Sequence, residues 1–285
     1  MTAWQPRGKS LGPKSITKRA GRQTVGGRHR TFPHGLRSPR ILRYLKDREK
    51  NGGGFSFAPD LYPDIEDTYY AVRTLELLKI EVNRERTANY LKTINWMEAD
   101  FPRTVFMLLH LHLLLCIELP PPLVELSKKD WSRFQILDAQ YYSDEIQKLL
   151  QAPFRQMPSQ AEFQFHRKDN LQSLRKKVSV LRNHGIKLER QEIVRWVQLC
   201  QNGDGGFGFY PGTTSYMENT YCALEILSKL DSSPQEIGPC REYLLNCQTK
   251  SGGFGRAPMS FPFIESTFHA VAGLFMLEKM DRGPA

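Results

Sequence analysis

Apolar residues fall at helical spacing ahead of three Gly-Gly-Phe triplets, which end at Phe55, Phe207 and Phe254. Fourteen, eleven and ten residues before each Phe stand Ile41, Tyr44 and Leu45, then Ile193, Trp196 and Val197, then Cys240, Tyr243 and Leu244. Apolar positions at i, i+3 and i+4 describe one face of an amphipathic helix. A second register follows each triplet. Eleven residues after the Phe comes Glu66, Glu218 or Glu265, and two further on Thr68, Thr220 or Thr267. An aromatic comes next (Tyr69, Tyr221, Phe268), then Ala71, Ala223 or Ala270, and Leu75, Leu227 or Leu274 lies seven after the Thr. The pattern predicts a unit of first helix, Gly-rich turn, loop and second helix, the last beginning near the Glu. The Gly pair is expected to end the first helix with a positive φ. Pro63, Pro211 and Pro262 are expected to keep the loop out of helix.

Two weaker units fit between the strong ones. Thr87 to Leu91 repeats Ile41 to Leu45 at an offset of 46, ahead of a shortened loop and an apolar helix from Thr104 to Leu115. After Pro120-Pro121-Pro122, residues 123–145 read as an irregular insertion. Ile146, Leu149 and Leu150 lie 47 residues before Ile193, Trp196 and Val197, so they predict the third first-helix. Its partner is expected near Leu171 to Leu181, with Ser173 at the Thr position. The expectation is five helix pairs. One pair cannot bury its own apolar face, so neighbours must stack.

Charge divides the chain. The net charge is +10, yet residues 1–46 hold twelve Lys/Arg and no acid, leaving 28 bases against 30 acids in the rest. Residues 1–35 therefore read as a flexible basic arm that buries too little apolar surface to fold alone. A solvated tail, a targeting peptide and a contact with an anionic membrane surface all suit it. Nucleic acid is not an expected partner. Five cysteines without a CxxC do not make a secreted disulfide framework, and reduced thiols point to the cytoplasm.

The run Leu199-Cys200-Gln201-Asn202-Gly203-Asp204-Gly205-Gly206-Phe207-Gly208, followed by Glu218-Asn219-Thr220-Tyr221-Cys222-Ala223-Leu224, resembles a repeat of the protein prenyltransferase β-subunit and squalene cyclase (terpenoid cyclase) superfamily. Asn246-Cys247-Gln248 to Gly255 repeats it. The resemblance covers about residues 36–280. It implies an all-α fold, a closed α/α toroid in which second helices line a central cavity and first helices form the outer ring. It also implies an isoprenoid or other apolar small molecule as ligand and, for a transferase, a helical-repeat partner subunit.

The family's transferases hold a catalytic zinc with an Asp, a Cys two residues on, and a His from the next repeat. Those places are filled here by Glu218, Thr220 and Glu265. Threonine is no zinc ligand of any strength, so neither metal nor other cofactor is expected. His110 and His112 read as packing or hydrogen-bonding residues. The run Arg175-Lys176-Lys177 reads as a solvated face. The cyclase branch protonates its substrate with an inner-helix acid, and that resemblance places Glu66 as catalytic acid, with Asp67 and Asp64 beside it. A carboxyl buried among Tyr69, Phe55 and Phe57 would be raised by desolvation. Tyr69, Phe207, Tyr210, Tyr221, Arg256, Phe268, Glu218 and Glu265 are the expected substrate contacts. Two other readings stand beside these. The Glu residues can serve only as helix starts, since three repeats share them, and the toroid can be a non-catalytic binder of a lipid or protein.

Overall fold

The computed structural model describes residues 33–96 and 99–282, which belong to one compact unit. The basic arm expected over residues 1–35 lies almost wholly outside them. Each strong repeat supplies an outer and an inner helix. The outer helices are α1 (Ser38–Lys46), α3 (Arg84–Leu91), α8 (Arg190–Leu199) and α10 (Ile237–Asn246). The inner helices are α2 (Ile65–Leu77), α4 (Pro102–Leu114), α6 (Ile136–Leu150), α7 (Leu171–Asn183), α9 (Met217–Lys229) and α11 (Ile264–Asp281). The inner helices pack in the order α2, α4, α6, α7, α9, α11 and back to α2, which closes a ring. They run parallel. The second residues of α2 and α4 meet (Glu66 with Arg103), as do their ninth (Arg73 with His110), and the rings of the fifth residues of α9 and α11 make a tilted contact (Tyr221 with Phe268).

Local chemistry starts the helices where the spacing predicts. Asp64 caps α2 by accepting from Asp67 N at 2.8 Å, Asn83 caps α3 through Arg86 N, and Asn170 caps α7 through Ser173 N. Those caps satisfy amides with no partner inside the helix. The repeated Thr has a shared task. Thr68, Thr220 and Thr267 accept from the amides of Phe55, Phe207 and Phe254 at 2.9, 3.0 and 3.0 Å. The register from Phe to Thr is therefore one hydrogen bond that ties the turn to the inner helix.

The Gly pair does not end the outer helix. α8 stops at Leu199 and α10 at Asn246, each several residues before its Gly-Gly. The first Gly instead lets the turn sit against the backbone of the next outer helix. A Cβ on Gly53, Gly205 or Gly252 would lie 1.8, 2.1 or 2.1 Å from the carbonyl oxygen of Arg86, Pro239 or Arg40. All three also have positive φ. The second Gly faces the ring of the next Tyr (Tyr90, Tyr243 or Tyr44). Pro262 lies in β2 (Pro262–Phe263), which pairs antiparallel with β1 (Phe254–Gly255).

The middle of the chain differs most from expectation. Ile146, Leu149 and Leu150 belong to α6, an inner helix between α4 and α7, and not to an outer one. An apolar i, i+3, i+4 stripe cannot say which layer it serves, because both layers bury one. The expected insertion takes in most of a short helix, α5 (Pro121–Ser127), and the first ten of the fifteen residues of α6. Ser173 lies one position before the Thr equivalent. Asn170 takes the place of Asp64, so Gln172 matches Glu66 and Leu174 matches Thr68. A 3-10 turn at Ala161–Phe163 stands where an outer helix would precede α7, and Phe163 anchors it in a small core with Tyr141, Val180 and Leu181.

Candidate functional site

Five of the six inner helices turn a stripe at i, i+3, i+4, i+7 counted from their second residue toward a central cavity of about 740 Å³. On α2 the stripe is Glu66, Tyr69, Tyr70 and Arg73; on α4 it is Arg103, Phe106, Met107 and His110. On α7 it is Gln172, Arg175 and Lys176, on α9 Glu218, Tyr221, Cys222 and Glu225, and on α11 Glu265, Phe268 and His269. α6 adds Tyr141, Tyr142, Glu145, Lys148 and Leu149. Because the helices are parallel, the stripes stack into layers: a charged rim, an aromatic belt and a charged floor.

At the rim, Arg103 pairs with Glu66 and lies 3.5 Å from Glu265, and it donates to Tyr70 OH at 3.3 Å. Burial pushes the Glu66 carboxyl up, against the pull of Arg103 and with help from Glu265. Burial also pushes Glu265 up, with Glu218 adding to it and Arg103 opposing. Arg256 lines the same rim from the loop before α11 and lies over the Phe263 ring at 4.7 Å.

In the belt, Tyr221 stacks on His269 with centroids 4.3 Å apart, and Tyr70 meets Phe268 at 5.3 Å. Arg175 breaks the apolar wall. It donates to Tyr141 OH at 3.0 Å and pairs with Glu225 at 3.1 Å. The expected solvated run is paired throughout, with Lys176 on Asp138 at 2.6 Å and Lys177 on Asp169 at 2.8 Å. At the floor, Arg73 donates to His110 Nε2 at 2.9 Å. Burial, then Arg73, lowers His110 to about 4, and burial lowers His269 to about 3, so both rings are neutral. Burial raises Glu225, yet Lys229 and Arg175 outweigh it and hold the carboxylate well below its usual range. His112 packs away from the cavity, on the Leu108 carbonyl at 2.8 Å.

The structure gathers Glu66, Tyr69, Glu218, Tyr221, Arg256, Glu265 and Phe268 around the cavity. It does not bring Phe207, Tyr210, Asp64 or Asp67 there. Phe207 is wholly buried in the turn tied to Thr220, and Tyr210 bonds through its backbone to Thr213 in the loop. Asp64 is occupied as the α2 cap and lines a lateral groove between α2, α3 and α4. Asp67 lies on the outward side of α2, where burial and the neighbouring Asp64 raise its carboxyl to about 7. Tyr70, Tyr142, Arg73, Glu225 and His269 were missed. The helical stripe through each Glu would have found all but Tyr142.

The residues at the family's zinc positions do not fit zinc. Thr220 Oγ1 accepts from Phe207 N and donates to Tyr216 O at 2.9 Å, so this neutral hydroxyl, itself a poor zinc ligand, is engaged in tying the turn to the helix. Among the described residues no group of three or more His, Cys, Asp or Glu is arranged to hold a metal ion. All five cysteines are free thiols. Among the described residues no helix is long and apolar enough to cross a membrane.

A ring of parallel inner helices around a polar-rimmed aromatic cavity defines an α/α toroid. Residues 32–117 and 135–283 match the prenyltransferase alpha-alpha toroid domain, and the chain belongs to that family. A type II terpene cyclase from Scytonema, solved with geranylgeranyl dihydroxybenzoate, is similar in fold, with a TM-score of 0.58 and 11% identity over 85% of this chain and 96% of that one. Protein geranylgeranyltransferase-I from Candida albicans, solved with GGPP, aligns at a TM-score of 0.34 and 11% identity over 74% of this chain and 83% of that one. No curated protein sequence matches the chain.

Proposed function

We propose that the cavity binds an isoprenoid ligand and acts on it, as a prenyltransferase- or terpene cyclase-type enzyme. One observation carries the reading: in a chain of this family, a belt of Tyr69, Tyr70, Tyr221 and Phe268 lies directly beneath a rim bearing Glu66, Glu218 and Glu265. An aromatic wall suits a branched unsaturated chain, and a few polar groups at one end orient it. The volume of about 740 Å³ falls in the usual range for ligand sites. The Scytonema cyclase of similar fold is bound to a geranylgeranyl compound, which supports the same ligand class.

A second reading, protonation of an alkene by Glu66, is favoured by its burial-raised carboxyl. A neutral acid in a cavity that excludes water is what carbon protonation requires. Arg103 stabilises the ionised form, so this route needs the ligand to displace the Glu66–Arg103 pair. A transferase route predicts a helical-repeat partner chain.

Incubation with geranylgeranyl diphosphate and with squalene tests both readings, with products resolved by mass spectrometry. Turnover of either supports enzyme action. Product formed equally well by Glu66→Gln removes the acid assignment. Retention of the isoprenoid without turnover supports a non-catalytic binder, and failure to retain either compound overturns the isoprenoid reading.

A further inference from the structure

Opposite the rim, four consecutive inner helices end in a cation: Lys148 on α6, Arg182 on α7, Lys229 on α9 and Lys279 on α11. Helix dipoles favour one cation at each C-terminus, and that alone calls for nothing more. Here the four side chains converge on one depression of about 410 Å³, lined also by Ser228 and Asn183. Among the described residues lining it, Asp231 is the only carboxylate.

Lys148 pairs with Glu145 at 2.6 Å and Lys229 with Glu225 at 2.5 Å, and both carboxylates belong to the floor of the central cavity. Arg182 and Lys279 are exposed and have no carboxylate partner among the described residues. Converging cations repel one another unless an anion is shared between them. A guanidinium fork beside ammonium groups and short polar side chains matches phosphate oxygens.

We propose that this depression is an anion site for a phosphate or diphosphate group, at the end of the toroid opposite the Glu rim. Lys148 lines both this site and the central cavity, so the bound group lies one side chain away from the cavity floor. The proposal stands on the cation geometry and does not depend on what occupies the central cavity. Phosphate oxygens can come from a free ion or from a lipid headgroup, and the two sources are separable.

Calorimetric titration of the full chain with inorganic diphosphate tests the free ion. Co-sedimentation with phosphatidylcholine vesicles, with and without phosphatidic acid, tests the headgroup. The comparison protein is the double variant Arg182→Gln, Lys279→Gln, whose exposed positions leave the thermal midpoint unchanged. Saturable binding in either arm is expected, weakened roughly tenfold or more in the variant, as the loss of two charge-assisted contacts requires. Equal binding by both proteins assigns the anion elsewhere and overturns the proposal. Absence of binding in both arms overturns it as well.

Discussion

Gly252 sits so close to the Arg40 carbonyl that a Cβ there would lie 2.1 Å from the oxygen. Arg40 belongs to α1, the first outer helix, and Gly252 to the turn of the last repeat. Beside the packing of α11 on α2, the last turn thus meets the first outer helix by a backbone approach that only glycine permits. Gly252 also has φ +104°, where a side chain is strained. Gly252→Ala is expected to destabilise the fold by roughly 2–4 kcal/mol, strain and overpacking together. Urea unfolding measures it; a change below the error of the midpoint would mean that closure does not run through this contact.

The Phe–Thr hydrogen bond predicts a contrast between two small changes. Thr220→Ala leaves the buried amide of Phe207 without an acceptor, whereas Thr220→Ser keeps the oxygen. A buried unsatisfied amide costs about 1–3 kcal/mol. Chemical denaturation is expected to show the Ala variant well below the Ser variant. Equal losses would assign the cost to the missing methyl group.

Asp67 makes a prediction with a definite sign. Its carboxyl keeps the proton up to about 7 in the folded chain, against an ordinary value of 3.8. Between those values the folded state binds more protons than the unfolded one, so this contribution to stability is full at low pH and lost as pH rises through 7. Asp67→Asn removes the loss. Stability curves of variant and parent are expected to diverge in the variant's favour from pH 4 to pH 8, and parallel curves would refute the assignment.

Arg103→Met tests the rim. Arg103 pulls down both Glu66 and Glu265 while burial pushes them up. Without the guanidinium both carboxyls are expected to titrate at higher pH than in the parent, as followed by NMR of labelled glutamate. Unmoved titrations would show that the pair does not persist in solution.

Much of this was legible in one dimension. The helix pairs of the three strong repeats and the family resemblance follow from a period of 3.6 and from a Gly-Gly-Phe register written three times along the chain. The chain by itself also placed Glu66, Glu218 and Glu265 at equivalent inner-helix starts. Tertiary structure decided the rest. It put α6 in the inner ring, since an apolar stripe reads alike in either layer. It brought Arg103 to Glu66 across 37 positions and Arg175 to Glu225 across 50. It turned Asp67 outward while Glu66, one residue earlier, faces the cavity, because successive residues on a helix point about 100° apart. Charge pairing depends on which helices become neighbours when the ring closes, and no local pattern encodes that adjacency.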